Sequence, residues 1–148
     1  MSDEIIWVYT SQVVLESNGS ATVASDAYGV VGDADLASGN HLDYPWADFV
    51  LTCSFGGAVG AGKFVRLYRQ DLNIDGANDA PVPAAACPRL FVGSFVIPEG
   101  AGGSSWCFPL TDVELIKDQQ YSIENKTDQT ISANWELKAT PKTYKPKV

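Results

Sequence analysis

The stretch Tyr68 to Pro83, YRQDLNIDGANDAPVP, carries the spacing that comes nearest to metal chemistry. Asp71, Asn73 and Asp75 occupy positions 1, 3 and 5 of an EF-hand-type calcium loop, and Gly76 supplies the sharp turn at position 6. The bidentate Glu that should close the oxygen shell at position 12 is Val82, and Pro81 and Pro83 forbid the outgoing helix. The stretch therefore reads as a strand leaving through an Asp-Gly turn into a proline-braced loop. A second spacing, GAVGAGK from Gly57 to Lys63, satisfies the G-x-x-x-x-G-K of a phosphate loop. Phe64 stands where Ser or Thr must hold Mg²⁺, and Phe64 to Gln70 alternates as a strand instead of opening a helix toward phosphate. A Gly-rich hairpin connection is the expected structure.

Nucleophilic chemistry has no better footing. There is no G-x-S-x-G and no H-E-x-x-H, and the one histidine, His41, sits in a Gly-Asn-rich connection. Asp33, Asp35, Asp43 and Asp48 could converge as a glycosidase carboxylate pair, but among 18 acids some convergence is inevitable, and they read as solubilising surface charge. Cys53, Cys87 and Cys107 are odd in number, widely spaced and without a CxxC, which predicts buried free thiols and no zinc site. The sequons at Asn18 and Asn125 read as accidental. The sequence thus predicts no catalytic residue, no metal and no cofactor. Binding is a different matter: Trp46, in YPWADF, directly precedes a strand and Trp106 opens another beside a Gly-rich loop, so either could stack a sugar or dock a partner. Trp7 and Trp135 read as core.

The elements that must position these residues have a period of 2. Ala47, Phe49, Leu51, Cys53 and Phe55 fall on one face, opposite Asp48, Thr52 and Ser54. Gln129 to Lys138 repeats the alternation with Ile131, Ala133, Trp135 and Leu137 inward. Lys63 to Gln70 alternates, and Leu90 to Ile97 reads as a more fully buried strand. Shorter candidates are Ile5 to Thr10, Gln12 to Glu16, Ala21 to Ala24, Trp106 to Leu110 and Gln120 to Glu124. Turn signals at Asn18-Gly19, Gly39-Asn40, Gly56-Gly57, Asp75-Gly76, Gly102-Gly103 and Lys126 to Asp128 punctuate them. One sheet of eight or nine short strands would expose a greasy face, so the expected fold is all-β, an antiparallel β-sandwich resembling a jelly roll. Only Asp112 to Asp118 suggests a helical turn, and Gly29 to Tyr44 is the longest expected loop.

Length and charge bound the rest. The 148 residues, 45% hydrophobic and 19% charged, fit a single domain with a real core. No apolar run approaches a membrane span, and MSDEIIWVYT begins with acids where a signal peptide needs basic residues, so the chain is expected to be made and used without secretion. All 18 acids lie at or before Glu136, while Lys138, Lys142, Lys145 and Lys147 crowd the last 11 residues. The charges divide into a body of −12 and a tail of +4. Residues 1–137 are expected to form the sandwich, and 138–148 an extended lysine-rich arm that Pro141 and Pro146 keep straight and Tyr144 anchors. Such a body should repel nucleic acid.

Taken in order, LDYPWADFVLTCSF, VRLYRQDLNIDGANDAPVP, RLFVGSF and SANWELKATPKTYKPK resemble small virion structural proteins of tailed bacteriophages. The likeness spans about Leu42 to Lys147 and rests on the order of motifs; Cys87, Cys107 and the Gly100 to Gly103 loop depart from it. The resemblance implies a capsid decoration or cement protein, made in the host cytoplasm and held on the head shell. Its partner would be the major capsid protein, and it would form a homo-oligomer, dimer or trimer, there. It directs the expected contacts to Tyr44 and Trp46 at the rim, to Lys142, Tyr144, Lys145 and Lys147 against an acidic capsid face, and to strand addition at an exposed edge. The alternative is a carbohydrate- or receptor-binding module of a tail or head fibre, with host glycans as partners of Trp46 and Trp106.

Overall fold

The computed structural model describes residues 5–19, 21–30, 43–71, 90–115 and 119–146. Nine strands are found among them: β1 (Ile5–Tyr9), β2 (Val13–Gly19), β3 (Tyr28–Val30), β4 (Trp46–Cys53), β5 (Lys63–Asp71), β6 (Leu90–Ile97), β7 (Trp106–Glu114), β8 (Gln119–Asn125) and β9 (Trp135–Pro146). All pairing is antiparallel. β1 and β2 pair with β9, β3 with β8, β4 with β7 and β5 with β6, so the chain is one long hairpin with its halves side by side. Further pairing of β4 with β9 and β5 with β8 rolls that hairpin into two sheets, β1/β2-β9-β4-β7 and β3-β8-β5-β6. That strand order is a jelly roll, as the alternation and turn spacing anticipate.

β1 and β2 are one edge strand with a bulge. Tyr9 faces Lys142 and Val13 faces Ala139, so three residues, Thr10 to Gln12, stand against two on β9, Thr140 and Pro141. The inward faces meet in one core: Phe49, Leu51, Leu137 and Ala139 from one sheet pack on Val65, Leu67, Phe95, Tyr121 and Ile123 from the other. Phe49 and Tyr121 join the layers edge to face with centroids 4.8 Å apart. The far loop is fixed by Asn125, fully buried, whose amide donates to the carbonyls of Val23 and Gln129 (2.8 Å each) while its oxygen accepts from the N–H and hydroxyl of Thr127. The sequon at Asn125 is thereby closed to a glycan; the side chain of Asn18 lies outside the described residues.

Several expectations change in three dimensions. Gly57 to Lys63 is no hairpin: it carries the chain from β4 in one sheet to β5 in the other, pinned by Val59, buried and bonded through its backbone to Gly100 and Ala101. β6 is a sheet edge, so Leu90, Phe91 and Val96 are exposed and only Phe95 and Ile97 are buried. Gln129 to Lys138 is not one strand, because Asn134 takes φ +67° and turns the chain; Ile131 makes only bridges to Val23 and Phe55, Ala133 is exposed, and the strand begins at Trp135. Likewise, Ala21 to Ala24 contributes a single bridge, and Gly29 and Val30, expected to begin the longest loop, belong with Tyr28 to β3. Asp112 to Glu114 belongs to β7 and not to a helical turn. The calcium-like residues 72–82, together with His41, Asp33 and Asp35, lie outside the described residues.

The largest correction concerns the arm. Lys138 to Pro146 is the greater part of β9, flanked by β1/β2 on one side and, as far as Lys142, by β4 on the other, and Leu137, Ala139 and Pro141 face the core. Alternation beginning at Trp135 runs through Pro141. Pro141 is accommodated although it lacks an N–H, and its carbonyl accepts from the Thr10 N–H at 3.0 Å beside the bulge.

Candidate functional site

The end of the first sheet is built from both chain termini. Ile5 pairs with Pro146, Ile6 with Lys145, Trp7 with Tyr144, Val8 with Thr143 and Tyr9 with Lys142. β4 joins β9 only from the pair Trp46 and Lys142 onward. Thr143 to Pro146 therefore pairs with β1 alone among the described strands, and the sheet ends in a two-stranded ribbon. Because facing residues share a side, Ile5, Trp7, Tyr9 and Tyr144 occupy the outer face, while Ile6 and Val8 occupy the other. Apolar groups thus lie on both faces. Ile5 is 68% and Tyr144 53% exposed, and the rings of Trp7 and Tyr144 stack at 3.7 Å.

The root of the ribbon is a charged clamp. Lys142, only 3% exposed, places Nζ 2.6 Å from Asp48 Oδ1 and 2.5 Å from Asp112 Oδ1, with the Trp7 ring centroid 4.1 Å away. Burial alone would favour the neutral amine, but the hydrogen bonds that Nζ donates to Asp112 and Asp48 outweigh it and hold the ammonium above the ordinary lysine range. A bulge makes this geometry: between the pairs Ala47–Val113 and Phe49–Leu110, Thr111 and Asp112 stand against Asp48 alone. Asp112 takes φ +60°, a conformation Asp tolerates, and its N–H donates to Asp48 Oδ1 at 3.0 Å. One side chain from β9 thereby ties together β1, β4 and β7. Lys142 is consequently not the surface contact expected of it. Its charge is neutralised internally, as is that of Lys138, which bonds Glu136 at 2.7 Å.

The other predicted contact residues separate. Tyr44 is half-buried just before β4. Trp46 lines a groove of about 270 Å³ between β6 and β7, with Arg69, Phe91, Leu110, Asp112 and Glu114. Asp112 belongs to both groove and clamp. Trp106 opens β7 opposite Cys53, at the other end of β4, so a strand rise of about 3.4 Å per residue excludes it from a site shared with Trp46. Lys145 is exposed on the ribbon, and Lys147 lies outside the described residues. Sequence reading missed Trp7 as a ribbon residue, taking it for core, took Asp48 for surface charge, and missed Ile5, Tyr9 and Asp112. A usable signal did exist in IIWVY, which is apolar at every position and so cannot bury one face and wet the other. Cys53 is buried, its thiol pushed up to about 12 by desolvation and then by Cys107; Cys107 itself is exposed, contrary to expectation, and Cys87 lies outside the described residues. Among the described residues no cluster of His, Cys, Asp and Glu forms a metal site. Compared with family models, curated proteins and solved structures, the chain matches none.

Proposed function

We propose that this protein is a structural component of a tailed-phage particle, a decoration or cement protein that attaches to the outside of the head shell and bridges capsid subunits. The observation that carries the proposal is the terminal ribbon: two strands beyond the last β4 pairing, with apolar side chains on both faces. Isolated two-stranded ribbons are marginal in water, and exposed apolar patches mark contact sites, so such a ribbon gains most when laid against another protein. Jelly rolls recur among capsid and lectin domains, and the ordered motifs of the sequence point toward virion proteins. The expected basic arm is recast: with Lys142 neutralised by two aspartates, attachment is mainly apolar, through Ile5, Tyr9 and Tyr144, with Lys145 at the margin. Many copies on a symmetric shell would turn a small contact into firm attachment.

The test is a cryo-electron map of the particle encoding this chain, made with the wild-type protein, without it, and with the double variant Ile5→Lys, Tyr144→Ser. Regular density on the shell that vanishes in the deletion and fades in the variant supports attachment by the ribbon. Full occupancy with the variant refutes it, and density confined to the tail refutes decoration.

The Trp46 groove favours a second reading, a module that binds host glycans at a tail or head fibre. An aromatic wall of Trp46 and Phe91 beside Asp112, Glu114 and Arg69 matches a pyranose, which offers an apolar face and a rim of hydroxyls. Binding on a glycan array that is lost in Trp46→Ala supports it; silence of the wild-type protein removes it.

A further inference from the structure

β1 is the edge of its sheet yet has the composition of an interior strand. Edge strands usually carry a charge, a proline or a bulge that blocks pairing with another chain. Ile5 to Tyr9, IIWVY, has none of these within its length; the bulge of this edge lies beyond it, at Thr10 to Gln12. Its backbone edge away from β9 faces no strand among the described residues, while Ile5 and Ile6 are 68% and 40% exposed on opposite faces. A strand apolar on both sides belongs between two neighbours.

We infer that the missing neighbour is β1 of a second copy, paired antiparallel across a two-fold axis at Trp7 to make one continuous sheet through both molecules. The sequence is self-complementary in that arrangement. Trp7 faces its own copy, Ile5 faces Tyr9 and Ile6 faces Val8, so every cross-strand pair is apolar and the interface is isologous. Charge selects this edge as well. The chain carries −8 overall, so two copies repel over most of their surfaces, but β1 holds no acid and its partner segment on β9 adds the exposed Lys145, Lys142 being neutralised by Asp48 and Asp112. Pairing places the two ribbons side by side and doubles the outer row of Ile5, Trp7, Tyr9 and Tyr144. This deepens the decoration reading by giving it a dimeric unit, yet self-pairing does not require a shell.

Five residues per copy bury less than the roughly 1,200 Å² of a standard interface, so the dimer in free solution is weak, in the micromolar to millimolar range, and firms on a lattice. Sedimentation equilibrium of the full chain from about 1 µM to about 1 mM tests this. The expected wild-type mass rises toward twice 15.9 kDa, while Ile6→Lys and Ile5→Lys, both at exposed positions, stay at 15.9 kDa. Val96→Lys, on the edge of the other sheet, keeps the dimer. Hydrogen exchange should show amides of residues 5–9 slowed in the wild-type dimer relative to Ile6→Lys. A wild-type monomer throughout, a trimer, or a dimer indifferent to both β1 substitutions overturns the inference. Shell binding by a protein that stays monomeric would overturn it while sparing the decoration reading.

Discussion

Replacing Lys142 with Met keeps the aliphatic stem in place but deletes the ammonium that joins four strands. Asp48 and Asp112 then face one another across the β4–β7 bulge without a counter-ion, and Trp7 loses its cation. Removing one partner of a buried pair costs about 3–5 kcal/mol. Asp112 is largely exposed, and exposed pairs are worth less than about 1 kcal/mol, so most of the loss comes from Asp48 and the indole. A total of about 3 kcal/mol follows. With unfolding entropy of about 2.1 cal/mol/K per residue over 148 residues, the melting temperature falls by about 10 °C. The pH dependence has a definite sign. Lys142 is raised in the folded state, so its contribution is complete below the unfolded lysine value of 10.5 and is lost as pH rises through the higher folded value. Urea unfolding of both proteins at pH 7, 9 and 11 should therefore give a constant gap at the first two and a smaller one at the third. Asp48→Asn should cost more than Asp112→Asn. A Lys142→Met protein within about 0.5 kcal/mol of wild type, or the opposite order of the aspartates, would refute the clamp.

Four other outcomes are expected. Gly19→Ala would set a methyl 2.1 Å from Trp135 Nε1, a buried indole bonded to the Ala21 carbonyl, and should cost about 3 kcal/mol by chemical denaturation. Asn125→Leu removes four hydrogen bonds: the Val23 and Gln129 carbonyls keep the Ile131 N–H and the Thr127 hydroxyl, but the buried Thr127 N–H loses its acceptor; a loss of about 3 kcal/mol in the same assay is expected, whereas a neutral result would contradict the network. At pH 8, maleimide followed by peptide mapping should label Cys107 in the native protein and leave Cys53 untouched until unfolding. Deleting Lys142 to Val148 should unfold the domain instead of merely freeing it from the particle, because it removes the clamp and the end of β9; a truncated chain with native circular dichroism and melting would show that reasoning wrong.

The fold was legible because a half-buried strand must alternate. Ala47 to Phe55 shows its inner and outer faces without any knowledge of its neighbours, and turn signals between such runs leave few alternatives to two packed sheets. The same local logic failed where burial is decided at a distance. Leu90 to Ile97 has the composition of an interior strand, but the wrapping of the hairpin leaves β6 at an edge. The prolines and lysines after Leu137 suggest a loose tail, yet pairing with β2 and then β1 on one side, and with β4 as far as Lys142 on the other, makes Lys138 to Lys142 part of a central strand.

The candidate site divides in the same way. By itself, the sequence determined the alternation that makes the sandwich, the absence of intact motifs for phosphate or calcium, and the accumulation of lysine near the end. Only tertiary structure decided that Asp48 and Asp112, 64 residues apart, meet Lys142 and cancel its charge, and that Trp7 stacks on Tyr144. The reason is physical: alternation is a property of each strand, whereas charge neutralisation and exposure depend on which strands become neighbours when the long hairpin rolls into two sheets.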